Sequence, residues 1–387
     1  MPINFDISER LKKLAPYLFV EIDKAKRQAK AEGRDIIDLG IGDPDLPTPE
    51  FIIEALNKAA ADPANHHYAL DAGLPKLRQA IAKWYLKRFN VSLDPEKEIY
   101  ALIGSKEGIA HLPLAVINPK DRVLVPDPCY PPYRTGTIFA DGKVIPMPLL
   151  SKNNFLPDLK KYARKKAKLM FINYPNNPTS AVATKEFLQG VVNFALEKGI
   201  IIASDAAYSE IYFDIEAPTS ILEIEGAKEI AVEFHSLSKT FNMTGWRIGW
   251  VCGNEKIICA LAKLKTNIDS GIFQAIQLAG IAALESDGNH AKEMRQIYEE
   301  RRDLLINGLR SLGWKIPLTT ATFYVWAKIP KGFKDSMEVT QVFLKKADII
   351  VTPGVGFGKS GEGFVRMALT VSKERINEAV MRLKKVF

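Results

Sequence analysis

Short apolar runs alternate with amphipathic stretches from Glu50 to Gly249. The runs are continuous and rich in β-branched residues, which is typical of strands buried on both faces of a mostly parallel sheet. These predicted strands lie near 99–103, 122–125, 143–147, 169–173, 200–204 and 230–235. Helical periodicity is found near 50–61, 75–89, 106–117 and 184–198. The alternation predicts an α/β fold with a large domain, in which helices flank a mostly parallel sheet.

The pattern differs on either side of this region. The first part contains a predicted helix over 8–34, a short strand over 36–39 and a loop rich in Gly and Pro. After Gly249 the pattern predicts helices over 254–285, 288–312, 336–346 and 373–385, with strands near 322–327, 349–352 and 364–368. We therefore predict an N-terminal segment (1–45) that joins a smaller α+β domain (286–387), with the large domain (46–285) between them.

Composition is that of a globular protein. With 47% hydrophobic residues, the 387-residue chain can bury a large core. No apolar run approaches the roughly 18 residues of a membrane span. The first 15 residues mix acidic and basic side chains where a signal peptide would be apolar. We expect a soluble, cytoplasmic protein with no membrane partner.

The chain is basic and contains few of the cysteine and histidine residues that bind metals. A formal net charge of +8 raises the question of nucleic-acid binding. The densest basic run, 160–168, contains a single aromatic residue, so we interpret it as a solvated helix or linker. Three cysteines are too few for a disulfide framework, and the five histidines lack a ligand spacing. We expect no nucleic-acid partner and no metal.

Candidate chemistry lies where four of the predicted strands end. Ser105 opens a helix whose first backbone amides could cradle a phosphate. Tyr130, held by prolines, could stack on a planar ring, and Asn177 lies in a turn fixed by prolines. Asp205 could hold a protonated heterocyclic nitrogen, with the Tyr208 phenol beside it. Taken singly, each has an ordinary explanation as a helix cap, a turn residue or a packing residue.

Lys239 lies at the centre of this pattern. It follows an apolar, β-branched run and has Ser236, Ser238 and Thr240 around it. Such a setting suits an amine that is partly desolvated and can attack a carbonyl. Taken alone, it would be a surface lysine. Together with the strand-end residues it completes a set of groups that could bind a phosphate, a planar ring and a carbonyl.

Four motifs carry a resemblance to a known family: Ser236-Leu-Ser-Lys239 with Arg247, Asn176-Asn177-Pro-Thr, Asp205-Ala-Ala-Tyr208 and Gly363-Phe-Val-Arg366. Over nearly its whole length the chain resembles the fold-type I pyridoxal-phosphate enzymes of the class I/II aminotransferase family. The resemblance implies pyridoxal 5'-phosphate as cofactor and an amino acid and a 2-oxo acid as substrates. It also implies a homodimer with shared active sites.

The same resemblance implies roles at the cofactor. Lys239 would bind the cofactor aldehyde covalently and then move a proton at the substrate α-carbon, while Asp205 keeps the pyridine nitrogen protonated. Tyr208 and Asn177 would bind the phenolic oxygen of the ring, and Tyr130 would stack on it. The residues expected at the phosphate are Ser105, Lys106, Ser236, Ser238, Arg247 and, from a second subunit, Tyr68.

Within the family the chain most resembles LL-diaminopimelate aminotransferases, in the stretches 11–22, 39–44 and 265–270. This implies glutamate and 2-oxoglutarate as the partner pair and a place in lysine biosynthesis. Arg366 would bind the substrate α-carboxylate through two parallel hydrogen bonds, assisted by the Gly42 amide and by Asn177. Asn267 lies where that group places a polar residue from the neighbouring subunit. Asp71 lies where some members place a glutamate near the distal ammonium group.

Three positions depart from the pattern of these enzymes. Arg10 stands where a substrate-facing tyrosine is common, Asp71 is one methylene shorter than glutamate, and Ser180 replaces a common glycine. Aspartate, alanine or aromatic aminotransferase activity therefore stays open, and a carbon–sulfur lyase could use the same lysine. A cofactor-binding regulatory protein could keep the fold without turnover, but neither end of the chain resembles a DNA-binding module.

Overall fold

The computed structural model describes residues 5–14, 18–69 and 71–386. Part of the stretch 11–22, which carries one of the resemblances above, lies outside these residues. The described strands are β1 (Ile37–Asp38), β2 (Ile99–Leu102), β3 (Arg122–Asp127), β4 (Lys143–Pro148), β5 (Leu169–Asn173), β6 (Ile201–Asp205), β7 (Ala231–Ser236), β8 (Gly249–Gly253), β9 (Tyr324–Lys328), β10 (Ile349–Ile350), β11 (Thr352–Pro353) and β12 (Phe364–Ala368).

The described α-helices surround these strands and connect them. They are α1 (Glu9–Lys12), α2 (Leu18–Ala31), α3 (Glu50–Ala60), α4 (Pro75–Phe89), α5 (Ser105–Val116), α6 (Pro131–Phe139), α7 (Lys185–Lys198), α8 (Leu237–Thr240), α9 (Glu255–Lys265), α10 (Gln274–Leu284), α11 (Asn289–Ser311), α12 (Ser336–Ala347) and α13 (Lys373–Leu383). No helix within the described ranges is long and apolar enough to cross a bilayer.

Seven strands form the large sheet, in the order β2-β8-β7-β6-β5-β3-β4. Five of them, β3 to β7, run parallel to one another. Strand β8 is antiparallel to both β7 and β2. The predicted mostly parallel sheet is therefore confirmed, with one reversed strand that the sequence pattern did not predict.

The two faces of this sheet pack into separate apolar layers. Successive residues of one strand face opposite sides, so Leu124 packs in one layer and Val125 in the other. In the next strands Ile202 and Ala203 divide in the same way. Burial on both faces explains why these strands are apolar without alternation.

A second apolar core joins the N-terminal segment to the C-terminal region. Strands β11, β12 and β9 form a three-stranded antiparallel sheet, and β1 pairs in parallel with β10. Ile37 and Leu39 pack in the same core as Leu305, Val325 and Met367. This is the smaller α+β unit expected after the large sheet. The domain bounds at 45/46 and 285/286 stay a prediction.

Some element boundaries differ from those predicted. The helix predicted over 254–285 is two helices, α9 and α10, because the chain turns between Thr266 and Phe273. The helix predicted over 8–34 is represented by α1 and α2, with residues 15–17 outside the described ranges. Helix α6 was not predicted, although Pro131 occupies its first position, where proline is favourable.

Candidate active site

A cavity of about 350 Å³ opens where the parallel strands end, between the large sheet and the smaller unit. Carboxyl ends of neighbouring parallel strands meet at one edge, which brings together residues that are distant in sequence. Twelve of the predicted site residues line this cavity: Gly42, Ser105, Lys106, Tyr130, Asn177, Asp205, Tyr208, Ser236, Ser238, Lys239, Arg247 and Arg366.

Lys239 reaches into the cavity from the short helix α8. The hydroxyl of Ser236 caps this helix by accepting a hydrogen bond from the Ser238 amide at 3.1 Å. The Lys239 ammonium donates to the backbone oxygen of Gly42 at 2.8 Å. Burial lowers the pKa of Lys239 to about 8, and the charges of Arg366 and Arg247 act in the same direction. Since this value is closer to neutrality than the ordinary 10.5, more of the amine is uncharged and nucleophilic at neutral pH than in a solvent-exposed lysine.

Asp205 ends β6 and is only 5% exposed. One carboxylate oxygen accepts a hydrogen bond from the Tyr133 hydroxyl at 2.7 Å, and the other accepts from the Ala207 amide at 3.3 Å. Burial raises the pKa of Asp205, although both hydrogen bonds oppose the rise. Tyr133 is itself fixed by stacking on Phe171, with ring centroids 5.0 Å apart. A cationic N–H group in the cavity would therefore stabilise this carboxylate in its charged form.

The opposite part of the cavity can bind an anion. Arg247 is held by the carbonyls of Thr244 at 2.7 Å and Ile103 at 3.4 Å. Ser105 begins α5 beside this guanidinium, so the first amides of the helix and a positive charge share one region. A Cβ atom at Gly104 would lie 2.4 Å from the Arg247 Nη2 atom, which explains the glycine before the helix.

Arg366 comes from β12 and is 3% exposed. Its Nη1 atom donates to the Asn177 Oδ1 atom at 2.9 Å, and its Nη2 atom donates to the Gly40 oxygen at 2.7 Å. The guanidinium carbon lies 4.2 Å from the ring centroid of Tyr324 and 4.7 Å from that of Phe357. Two aromatic rings and two hydrogen bonds therefore fix the orientation of this cation.

Tyr324 was not predicted as a site residue, yet it touches several of those that were. Its hydroxyl lies 3.0 Å from the Tyr208 hydroxyl, and its ring packs against Arg366. A Cβ atom at Gly42 would lie only 1.9 Å from the Tyr324 hydroxyl oxygen, so any side chain there would displace Tyr324 or the loop. Further cavity residues that sequence reasoning missed are Ile41, Ala207, Thr244 and Phe357.

Three predicted site residues do not line the cavity of this chain. Tyr68 is 90% exposed. Asn267 is also exposed, and its amide donates to the Lys263 oxygen at 2.7 Å. Asp71 is half-buried and contributes negative charge near Tyr100. The resemblance assigned Tyr68 and Asn267 to a neighbouring subunit, and the roles of all three residues stay predictions.

One group of side chains has the spacing of a metal site within the described part of the chain. Ligand atoms of Glu107, His111 and Asp269 lie within 4.8 Å of one another. The fully buried Lys265 ammonium lies 3.6 Å from a Glu107 oxygen and also pairs with Asp269. A lysine cation thus already compensates these carboxylates without a metal ion.

Comparison with known proteins agrees with this geometry. The sequence profile described as aminotransferase class I and II matches residues 34–383. LL-diaminopimelate aminotransferase of Halothermothrix orenii is 53% identical over 380 residues, which cover 97% of each chain. Further relatives of the same name are 50–53% identical.

The fold of this chain closely matches solved structures. Substrate-bound BacF from Bacillus subtilis has a TM-score of 0.95 at 40% identity, covering 99% of this chain and 98% of BacF. A double mutant of Thermus thermophilus aspartate aminotransferase has a TM-score of 0.93 at 30% identity, covering 99% of this chain and 100% of that one. The profile spans most of the chain and the relatives span nearly all of it, and the chain therefore belongs to the class I and II aminotransferase family.

Proposed function

We propose that this aminotransferase uses pyridoxal 5'-phosphate and transfers an amino group between LL-diaminopimelate and the glutamate/2-oxoglutarate pair. Curated relatives that share half of the sequence over nearly the full length carry the name LL-diaminopimelate aminotransferase. Identity of this level over nearly the whole chain supports a shared substrate class. The proposal also assigns the chain to lysine biosynthesis.

The cavity fits the cofactor at its phosphate and at its ring nitrogen. The phosphate would be held by the residues at one end of the cavity, which are Arg247, Ser105, Lys106, Ser236 and Ser238. The buried Asp205 carboxylate would receive the N–H of the protonated pyridine ring, and its raised pKa would fall when that positive charge arrives. When bound, pyridoxal phosphate supplies an electron sink for the bonds at the substrate α-carbon.

Aromatic and amide groups would complete the ring site. Tyr130 would cover one face of the ring, and its own ring lies 5.9 Å from that of Tyr133. Tyr208 would donate its hydroxyl to the ring oxygen. Asn177 turns its Oδ1 atom to Arg366, which leaves its amide nitrogen for the same ring oxygen. These contacts use groups that already line the cavity.

The chain's own residues then perform two tasks on the substrate. Arg366 binds the α-carboxylate beside Asn177 and Gly42, and the Tyr324 and Phe357 rings hold the guanidinium in place. Lys239 would take a proton at the substrate α-carbon and hold it for return, a role that suits an amine whose pKa lies near the working pH. One observation carries the proposal: a lysine with a lowered pKa, a buried carboxylate and a buried arginine line one cavity.

A second subunit is part of the proposal. Tyr68 of a partner chain would reach the phosphate, and Asn267 of a partner chain would reach the substrate. Both side chains are exposed in the single chain, as expected for residues that contact a neighbouring subunit. Asp71 would lie near the distal ammonium of the donor. We therefore propose a homodimer with shared active sites.

A panel of amino donors tests the substrate. The enzyme loaded with pyridoxal phosphate is mixed singly with LL-diaminopimelate, glutamate, aspartate, alanine and an aromatic amino acid, and the spectrum of the bound cofactor is followed. LL-diaminopimelate and glutamate should change the spectrum at the lowest concentrations. A response to aspartate that exceeds both would favour the second candidate, aspartate aminotransferase, for which the Thermus neighbour is the supporting observation.

The same samples separate transamination from a lyase reaction. Transamination requires a 2-oxo acid acceptor to continue beyond one turnover. A carbon–sulfur lyase would release pyruvate from a cysteine conjugate without any acceptor. Continued pyruvate release under those conditions would contradict the proposed reaction.

A further inference from the structure

Ser180 and Thr322 face each other with both backbones in the left-handed region. Their φ angles are +60° and +62°. Their hydroxyl oxygens are 2.8 Å apart, and both side chains are buried. Such angles are uncommon for residues other than glycine, and for a β-branched threonine they are exceptional. Two adjacent residues in this conformation indicate that the contact between them offsets a conformational cost.

The protons of this pair can be assigned from its partners. The Ser180 hydroxyl donates its single proton to the Tyr324 backbone oxygen at 2.8 Å. Between the two hydroxyls Thr322 must therefore be the donor. The Thr322 oxygen in turn accepts the Tyr324 amide at 3.0 Å. The three hydrogen bonds form a closed ring that includes both polar backbone groups of Tyr324.

This ring covers the open edge of a strand. Tyr324 begins β9, which is the edge strand of the small sheet and pairs with β12 on one side only. The Phe323 oxygen on that side accepts from the Leu369 amide at 2.9 Å. Backbone groups of successive residues alternate in direction, so those of Tyr324 point away from β12. Ser180 and Thr322 supply the partners that a further strand would otherwise provide.

The loop that carries Ser180 also carries Asn177. The Ser180 amide donates to the Asn176 oxygen at 2.8 Å, which closes the turn around Asn177. The Asn177 side chain accepts a hydrogen bond from Arg366, and the Arg366 guanidinium packs on the Tyr324 ring. One loop of the large sheet thus contacts the backbone of Tyr324 through Ser180 and the side chain of Arg366 through Asn177.

We propose that Ser180 and Thr322 are positioning residues, which fix the backbone of Tyr324 and through its ring orient Arg366 and Tyr208. The proposal rests on the proposed function, because there Arg366 binds the substrate carboxylate. Neither hydroxyl lines the cavity, so both act through Tyr324. Ser180 thus supplies a hydroxyl at a backbone angle that favours glycine.

Removing the hydroxyls should weaken substrate binding more than the chemical steps. Ser180→Ala, Ser180→Gly and Thr322→Val should each raise KM for the amino donor by about five- to tenfold, which is the effect of one lost hydrogen bond that orients a binding group. The value of kcat should change by less than about twofold. Thr322→Ser keeps the hydroxyl and should restore KM to near the wild-type value.

Two controls separate positioning from general stability. Glycine adopts the left-handed conformation without strain. The melting temperature of Ser180→Gly should therefore equal or exceed that of Ser180→Ala, while its KM is still raised. Ser336→Ala removes another buried hydroxyl of the smaller unit, which donates to Glu362 at 3.0 Å, and neither of these two residues lines the cavity. That variant should lose thermal stability and keep its KM.

Three results would overturn the proposal. The first is an unchanged KM in both Ser180 variants. The second is a rise in KM that follows thermal stability and also occurs in Ser336→Ala. The third is a Thr322→Ser variant no better than Thr322→Val.

Failure of the proposed function would look different. The wild-type enzyme would then turn over none of the donors. Calorimetric affinity of the cofactor-loaded protein for an unreactive dicarboxylate, succinate, would still report on Arg366. A loss of succinate affinity in the Ser180 variants, reversed in Thr322→Ser, would support positioning, and equal affinities in all variants would reject it.

Discussion

At the scale of single residues, Lys239 shows how burial prepares an amine for chemistry. Desolvation disfavours its charged form, and two guanidinium groups line the same cavity. Asp43 acts in the opposite direction, because its negative charge raises the pKa of Lys239. The balance leaves the pKa at about 8, well below the ordinary 10.5. The cavity therefore does not depend on high pH to supply a neutral amine.

This environment predicts the pH dependence of cofactor capture. After removal of the cofactor, the rate at which pyridoxal phosphate binds should rise as pH increases through about 8 and then level off, because only the neutral amine reacts. Stopped-flow absorbance measures the rate. Asp43→Asn should move the midpoint to lower pH. A rate that keeps rising toward pH 10.5 would show that Lys239 has an unperturbed amine.

The sequence was informative for residues that belong to a motif and silent for those that do not. Lys239, Asp205 and Arg366 each lie in a recognisable motif at the end of, or within, a predicted strand. Tyr324 lies in a predicted strand too, but among Phe323 and Trp326 it looks like one more aromatic residue of a core. In the strand pairing Arg366 lies opposite Trp326, yet its guanidinium packs on Tyr324, two residues away on the same strand, which only the side-chain packing reveals.

At the scale of elements, the loop after β1 and the start of β9 are fitted to each other. A Cβ atom at Gly42 would overlap the Tyr324 hydroxyl, which also contacts Tyr208. The φ angle of Gly42 is not positive, so its backbone conformation does not require a glycine. The glycine is explained by space alone.

Gly42→Ala should consequently damage the site more than the fold. The added methyl group must displace Tyr324 or the loop, so KM for the donor should rise at least about tenfold, as expected when a binding group is misplaced. Steady-state kinetics and thermal unfolding measure the two effects. Gly190→Ala is the matched control, because nothing lies within 4 Å of its added atom and it belongs to α7. That variant should gain roughly 1 kcal/mol of stability and keep its activity.

Strand β7 carries a buried carboxylate beneath the Lys239 helix. Glu233 is 1% exposed. One of its oxygens accepts from Tyr85 at 3.0 Å, from Ser220 at 2.6 Å and from His235 at 3.1 Å. Burial alone would raise the pKa of Glu233, but the hydrogen bond and charge of His235 and further donors outweigh it and lower the pKa. The charged form is therefore stabilised in the folded protein.

The lowered pKa gives a stability prediction with a defined sign. A carboxyl whose pKa is lower in the folded state contributes stability above its unfolded value, here 4.5, and loses it as pH falls through the folded value. Glu233→Gln should cost roughly 3 kcal/mol near pH 7, because His235 and the hydroxyls lose a charged acceptor. In denaturant titrations the difference from wild type should shrink below pH 4.5. A difference that does not depend on pH would contradict a charged Glu233.

Elements were predictable where their period was clear and uncertain where it was short. Strand β8 has five residues bounded by Gly249 and Gly253, and its apolar run could not be told from the start of a helix. The long apolar pattern of α9 and α10 masked the polar turn between them. The sequence could not reveal the reversed direction of β8, because direction depends on the pairing with β7 and β2.

At the scale of the whole molecule, the cavity lies where two cores meet. The large sheet supplies Asp205 and Lys239, while the smaller unit supplies Arg366 and Tyr324. The alternating pattern predicted both units, but not the order of the seven strands, which long-range pairing decides. Tyr68 and Asn267 are exposed, and we propose that they contribute to the active site of a second chain.

Mixing two inactive variants tests the proposed shared site. Lys239→Ala and Tyr68→Ala should each be inactive or nearly so as homodimers. In a mixed dimer, one site combines Lys239 of one chain with Tyr68 of the other. Unfolding and refolding an equal mixture should therefore recover about a quarter of wild-type activity, since half of the dimers are mixed and each has one complete site. No recovery, or a fully active monomer by light scattering, would contradict the shared site.

Arg247 has a consequence for the speed and strength of anion capture. Its guanidinium donates hydrogen bonds to the carbonyls of Thr244 and Ile103, which restrain an otherwise exposed side chain. The entropy lost in ordering a long side chain is spent during folding rather than at the encounter with a ligand. An incoming phosphate therefore meets a preorganised charge, and binding energy that a flexible arginine would forfeit remains available for affinity.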